Sequence, residues 1–154
     1  MFRKVVNLAF NICSSAFEND GFLPGWYSAA GLNASPPFGW RDEPQGCLSL
    51  ALVCRAEDGR SHWVMWNIPP DLHTVYGKQP RNPVLDSGIR QGWNSFGVAG
   101  WTGPEKKNSD CRLTFTLLAL DSLLELPADT DGDELTRACH EHILESTSIA
   151  CRYC

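Results

Sequence analysis

Two short apolar runs, separated by a charged turn, constrain this chain more than any other feature. The first is Cys47-Leu48-Ser49-Leu50-Ala51-Leu52-Val53-Cys54, and the second is Ser61-His62-Trp63-Val64-Met65-Trp66-Asn67-Ile68-Pro69. Both are dominated by β-branched, aromatic and large aliphatic residues over strand-like lengths, and Pro69 stops the second because it has no N–H to give a ladder. Between them Arg55-Ala56-Glu57-Asp58-Gly59-Arg60 is a turn, so the pair reads as an antiparallel hairpin. Side chains alternate faces along a strand, which places His62 and Trp63 on opposite sides. One is then able to meet a pocket while the other enters a core.

The remaining segments fit a strand-rich fold. Residues 5–17 partly alternate apolar and polar and suggest an opening strand. Glu18-Asn19-Asp20-Gly21 and Asp42-Glu43-Pro44-Gln45-Gly46 are turns, and Pro36-Pro37 forbids a central strand there. Residues 70–112 are rich in Gly and Pro, with room for a short strand or two. Residues 113–120 are a strong strand. Residues 133–147 read as a helix, with Asp131 as cap, Glu134 placed for a capping box, and an apolar stripe of Leu135, Ala138, Cys139, His142 and Ile143. Residues 148–153 can add a closing strand. No repeat or linker divides the chain, so residues 1–154 form one domain. Strands followed by one late helix imply a mainly β sandwich.

Composition narrows the function. The net charge of −5 argues against nucleic-acid binding, and no apolar run approaches the roughly 20 residues of a membrane span. Asn7, Asn11 and Ser14 interrupt the segment after the basic start, making a poor signal peptide, so a cytoplasmic location is expected. In that compartment most of the seven cysteines should be reduced, small apolar residues, and Cys151-x-x-Cys154 is too terminal to argue a redox motif. In His140-Glu141-His142 the two imidazoles diverge on a helix, so they make no zinc pair; His142 is expected in the core and His140 in solvent. Trp63, Trp66, Trp93 and Trp101 read as core residues. Neither a nucleophile elbow nor a phosphate-binding P-loop is present.

A series of short motifs then recurs in a specific order. It runs through Gly31-Leu32-Asn33-Ala34-Ser35-Pro36-Pro37 with Trp40, Pro44-Gln45-Gly46, His62-Trp63-Val64 with Asn67-Ile68-Pro69, and Gln91-Gly92-Trp93-Asn94-Ser95-Phe96-Gly97. It continues with Gly100-Trp101-x-Gly103-Pro104 and Phe115-Thr116-Leu117-x-Ala119-Leu120-Asp121. In order and spacing the chain resembles the phosphatidylethanolamine-binding proteins, the family of Raf kinase inhibitor proteins, and is most similar to their small YbhB-like bacterial and archaeal branch. The resemblance implies an antiparallel Greek-key β-sandwich with a C-terminal helix. It also implies a non-enzymatic binding or regulatory role, a small anion pocket for phosphate or phospholipid headgroup oxygens, no cofactor, and protein partners such as kinases or proteases. The small relatives tend to dimerise, so a homodimer through the exposed part of the 77–103 loops is one option, and the oligomeric state stays open.

The resemblance also places the pocket. Its expected ligand-binding positions are Cys54, His62, Gly103, Pro104, Cys111 and Arg112. Of these His62, Gly103, Pro104 and Arg112 match the family pattern. Cys54 stands where the family has the first aspartate of an Asp-Pro-Asp-Ala-Pro loop, Cys111 where it has a second histidine, and Leu113 where it has a tyrosine. Glu57 or Asp58 is then available as a replacement carboxylate. Three readings follow: a vestigial pocket with Cys54 and Cys111 as packing residues, a retained anion site built on His62, Arg112 and backbone N–H groups near Gly103, or a thiol site. In the last, Cys54, Cys111 and His62 would bind a soft metal or the two thiols would pair.

Overall fold

In the computed structural model, residues 9–106 and 111–153 are described. These residues form two sheets and one short α-helix. β1 (Asn11–Cys13), β3 (Phe38–Arg41) and β6 (Thr74–Val75) form a small sheet in the order β1-β3-β6. A six-stranded sheet contains β2 (Gly21–Phe22), β4 (Ser49–Ala56), β5 (Ser61–Ile68), β7 (Arg90–Gln91), β8 (Cys111–Leu120) and β9 (Ile143–Tyr153), in the order β2-β9-β8-β4-β5-β7. Its pairings are antiparallel except β2 with β9. The helix α1 spans Gly132–Cys139. The expected hairpin is β4 and β5, and the short strands inside 70–112 are β6 and β7. Of the opening strand only Asn11–Cys13 is observed; residues 5–8 lie outside the described residues.

The central strands are buried on both faces, which explains why β4 and β5 read as apolar runs and not as clean alternation. One face of the large sheet, with Leu52, Trp63, Met65, Phe115 and Leu117, packs against Ile12, Phe38, Trp40 and Val75 of the small sheet. The other face, with Ala51, Val53, Val64, Trp66 and Leu118, packs beneath Leu135 and Cys139 of α1. Trp63, Trp66 and Trp101 are fully buried, but Trp93 is 47% exposed and does not belong to the core.

The C-terminal helix is shorter than its stripe suggests. Asp131 caps it as expected, accepting from the Glu134 N–H at 2.9 Å. After Cys139 the chain makes one 3₁₀ turn, His140–His142, and then enters β9. β9 pairs with β8 from Cys111↔Tyr153 to Leu120↔Ile143. Residues 143–149, Ile-Leu-Glu-Ser-Thr-Ser-Ile, suit a strand, and a full ladder against β8 outweighs the weak helical periodicity. His142 therefore leaves the core: its ring is 40% exposed and pairs with Asp121 at 2.9 Å.

Candidate functional site

His62 sits where β5 loses its regular register. Cys54 pairs with Trp63 and Arg55 with Ser61, so His62 is the extra residue of a bulge. Bulges re-aim side chains, and this one breaks the expected alternation. The His62 ring lies 6.4 Å from Trp101, and Trp63 lies 5.8 Å from the same indole. His62 and Trp63 thus flank one aromatic instead of facing opposite layers.

The imidazole is held from one side and covered from the other. Nδ1 is 2.7 Å from the Thr102 carbonyl oxygen, and the Thr102 N–H donates to the His62 carbonyl at 3.0 Å. A carbonyl only accepts, so Nδ1 carries the proton and neutral His62 presents Nε2 as an acceptor. Nε2 is buried and has no hydrogen-bond partner among the described residues. Phe96 packs 5.1 Å from the ring, and the Arg60 guanidinium lies 4.9 Å over Phe96 while its Nε donates to Asp58 at 3.0 Å. Burial pushes the imidazole below the ordinary histidine value. The Arg60 charge adds to this, against the Thr102 bond and the Asp58 charge.

Tyr153, at the end of β9, closes the corner. Its hydroxyl bonds the Cys111 thiol across the β8–β9 pair. Burial, with Cys111 and Asp58 nearby, pushes that hydroxyl up to about 12. Tyr153 also lines a surface cleft of about 270 Å³ together with Pro104, Phe22 and Lys106.

The expected ligand positions divide. His62 is at the corner, with Cys111 and Tyr153 linked to it through Asp58 and Arg60. Asp58, not Glu57, is the carboxylate of the β4–β5 turn that faces the imidazole. Pro104 lines the neighbouring cleft.

Cys54 is not part of the site. It is fully buried in the core between the sheets, and burial pushes its thiol well above the usual range. It sits opposite Phe115, four residues along β8 from Cys111. That separation is about 13 Å at ~3.3 Å per residue, beyond the ~7 Å reach of a disulfide. Among the described residues no three His, Cys, Asp or Glu side chains are placed to share a metal ion. The structure therefore does not bring Cys54, Cys111 and His62 together as the thiol and metal reading requires.

Arg112 also turns away. It alternates with Cys111 and Leu113 on β8, and its guanidinium pairs with Asp20 on the opposite face at 3.1 Å. The Gly103 N–H, expected to meet an anion, donates to the Asn33 side-chain oxygen at 2.7 Å. A Cβ on Gly103 would lie 2.2 Å from the Tyr27 carbonyl oxygen, so glycine is required there by close backbone approach.

Several residues of the site do not stand out as site residues in the sequence. Asn94, 3% exposed, donates to the Gly100 carbonyl and the Thr102 hydroxyl and accepts from the Phe96 N–H. It thereby ties the segment covering His62 to the one that fixes its Nδ1. Asn94-Ser95-Phe96-Gly97 does carry a turn signature, but no spacing links it to His62. Arg60 and Tyr153 have no sequence signal, because the β4–β5 turn and the end of β9 meet only in three dimensions.

The site is thus a covered imidazole at the end of the large sheet of a two-sheet β fold, held at Nδ1 and with Nε2 unpartnered among the described residues. The family model for phosphatidylethanolamine-binding protein matches residues 13–154, and the chain belongs to that family. A UPF0098 protein of Methanothermobacter thermautotrophicus is 34% identical over 143 residues, covering 90% of this chain and 95% of that one. A phosphatidylethanolamine-binding protein homologue from Chlamydia trachomatis superposes with a TM-score of 0.85 at 26% identity, covering 96% of this chain and 98% of its own. E. coli YbcL, described as a member of the mammalian family, shares the fold with a TM-score of 0.86 at 24% identity, covering 94% and 97%. No helix among the described residues is long and apolar enough to cross a membrane.

Proposed function

We propose that this chain is a non-enzymatic binding and regulatory protein of the phosphatidylethanolamine-binding type, with its small-ligand seat at His62. The observation that carries this is the buried Nε2 with no partner among the described residues. A buried polar atom left unpaired costs about 1–3 kcal/mol, and such atoms in native proteins need an explanation. A ligand oxygen or nitrogen supplies one. It reaches Nε2 when Phe96, packed on the ring and capped by Arg60, swings away. Among the described residues nothing near His62 supplies a nucleophile with an orienting acid, which favours binding over catalysis.

The reading extends to partners and place. A kinase or protease, or a second copy of this chain, would meet it over the 77–103 loops, where Val84, Trp93 and Val98 are exposed. Light scattering across a concentration series tests the second copy. Cytoplasmic location fits the thiols of Cys13, Cys47, Cys54, Cys139 and Cys151.

Thermal unfolding with phosphate and phosphoethanolamine at millimolar concentration tests the seat. At ten times its Kd a ligand stabilises by about 1.4 kcal/mol and raises Tm by roughly 3–5 °C. His62→Ala should remove that shift. If neither compound moves Tm in the unaltered protein, the seat is not an anion site.

A further inference from the structure

We propose that the His62 seat selects a phosphate group that brings its own proton, so that it takes phosphomonoesters or free phosphate and rejects sulfate and phosphodiesters. The inference rests on the ligand seat argued above. The geometry that carries it is the fixed tautomer. Thr102 O, 2.7 Å from Nδ1, holds the ring proton on the inner nitrogen and leaves a lone pair on Nε2. A lone pair pairs with an O–H. Against a deprotonated oxygen it meets another lone pair, and both desolvated acceptors stay unsatisfied.

The surroundings support this polarity. Asp58 and Arg60 of the β4–β5 turn face the imidazole, and Arg60 is engaged by Asp58. The 93–103 segment contributes Phe96, Trp101 and the Thr102 carbonyl, all uncharged. From β8 and β9 the nearby groups are the Cys111 thiol and the Tyr153 hydroxyl, and burial holds the hydroxyl protonated. Among the described residues the cations near this set are engaged or set apart: Arg60 is held by Asp58, Arg112 faces the other side with Asp20, and Lys106 lines the cleft beside Tyr153, while the Gly103 N–H is used by Asn33. Protonating His62 would make Nε2 a donor, but burial and Arg60 both oppose that.

Calorimetric titration of the intact protein with inorganic phosphate, ethyl phosphate, dimethyl phosphate and sulfate decides the matter. Inorganic phosphate keeps a proton at about pH 8, whereas sulfate and dimethyl phosphate have none. An ethyl ester loses its proton above about pH 6. Phosphate should bind at least about tenfold more tightly than sulfate or dimethyl phosphate at about pH 8. Ethyl phosphate should weaken up to about tenfold per pH unit above its own titration. His62→Gln offers an amide that can donate, and should narrow the gap between phosphate and sulfate. Nitrogen-15 spectra of the imidazole give a readout independent of that variant: Nδ1 stays protonated while the Nε2 resonance moves with phosphate. Sulfate binding as tightly as phosphate, or an Nε2-protonated ring at about pH 8, overturns the proton-selection proposal and leaves the ligand seat intact. No binding by any of the four overturns both.

Discussion

At the scale of single residues, the cysteines and His62 show how burial sets chemistry. Burial raises the Cys139 thiol to about 11 and the Cys151 thiol to about 12. Only a thiolate attacks a disulfide reagent. In native protein such a reagent should therefore modify the exposed Cys13 quickly, while Cys54, Cys139 and Cys151 react only at the rate of unfolding. Mass mapping after partial labelling checks this. Cys54→Asp, which restores the family aspartate, should destabilise by more than about 3 kcal/mol in urea unfolding, because it buries a carboxylate among Trp63, Phe115 and Cys151.

His62 makes stability depend on pH. Its folded pKa is lowered, so between that value and the ~6.5 of the unfolded chain the unfolded state binds more protons. Stability should fall as pH drops through that window and be fully present above it. His62→Gln should flatten that part of the profile in urea midpoints measured from about pH 7 downwards.

At the scale of elements, the loop that fixes His62 depends on a glycine and the helix depends on its cap. Gly103→Ala forces the 101–104 segment away from Tyr27. It should cost about 2 kcal/mol or more and loosen the Nδ1 bond to Thr102, which an imidazole NMR titration would read as a shifted pKa. Asp131→Ala removes the one side-chain cap of an eight-residue helix and should cost about 1 kcal/mol with ligand response unchanged. The misread C-terminus belongs to the same scale. Leu135, Cys139 and Ile143 satisfy a helical stripe, and nothing local says that residue 143 will instead pair with Leu120. A ladder partner over twenty residues away leaves no trace in a local period.

At the scale of the whole molecule, the sequence by itself determined the sandwich. Strand-length apolar runs, proline stops, glycine turns and the ordered motifs leave few ways to bury this much apolar surface, and the central β4–β5 hairpin follows from them. It also marked His62, Gly103 and Pro104 as notable positions. What only the tertiary structure decided is which of the marked residues share a corner. Cys54 lies in the core because register on β4 sets its face, Arg112 points away because β8 alternates, and His62 meets Phe96 and Trp101 because a bulge adds one residue. A face changes with a one-residue slip in register. Register is a property of paired strands, so no single strand's sequence could state it.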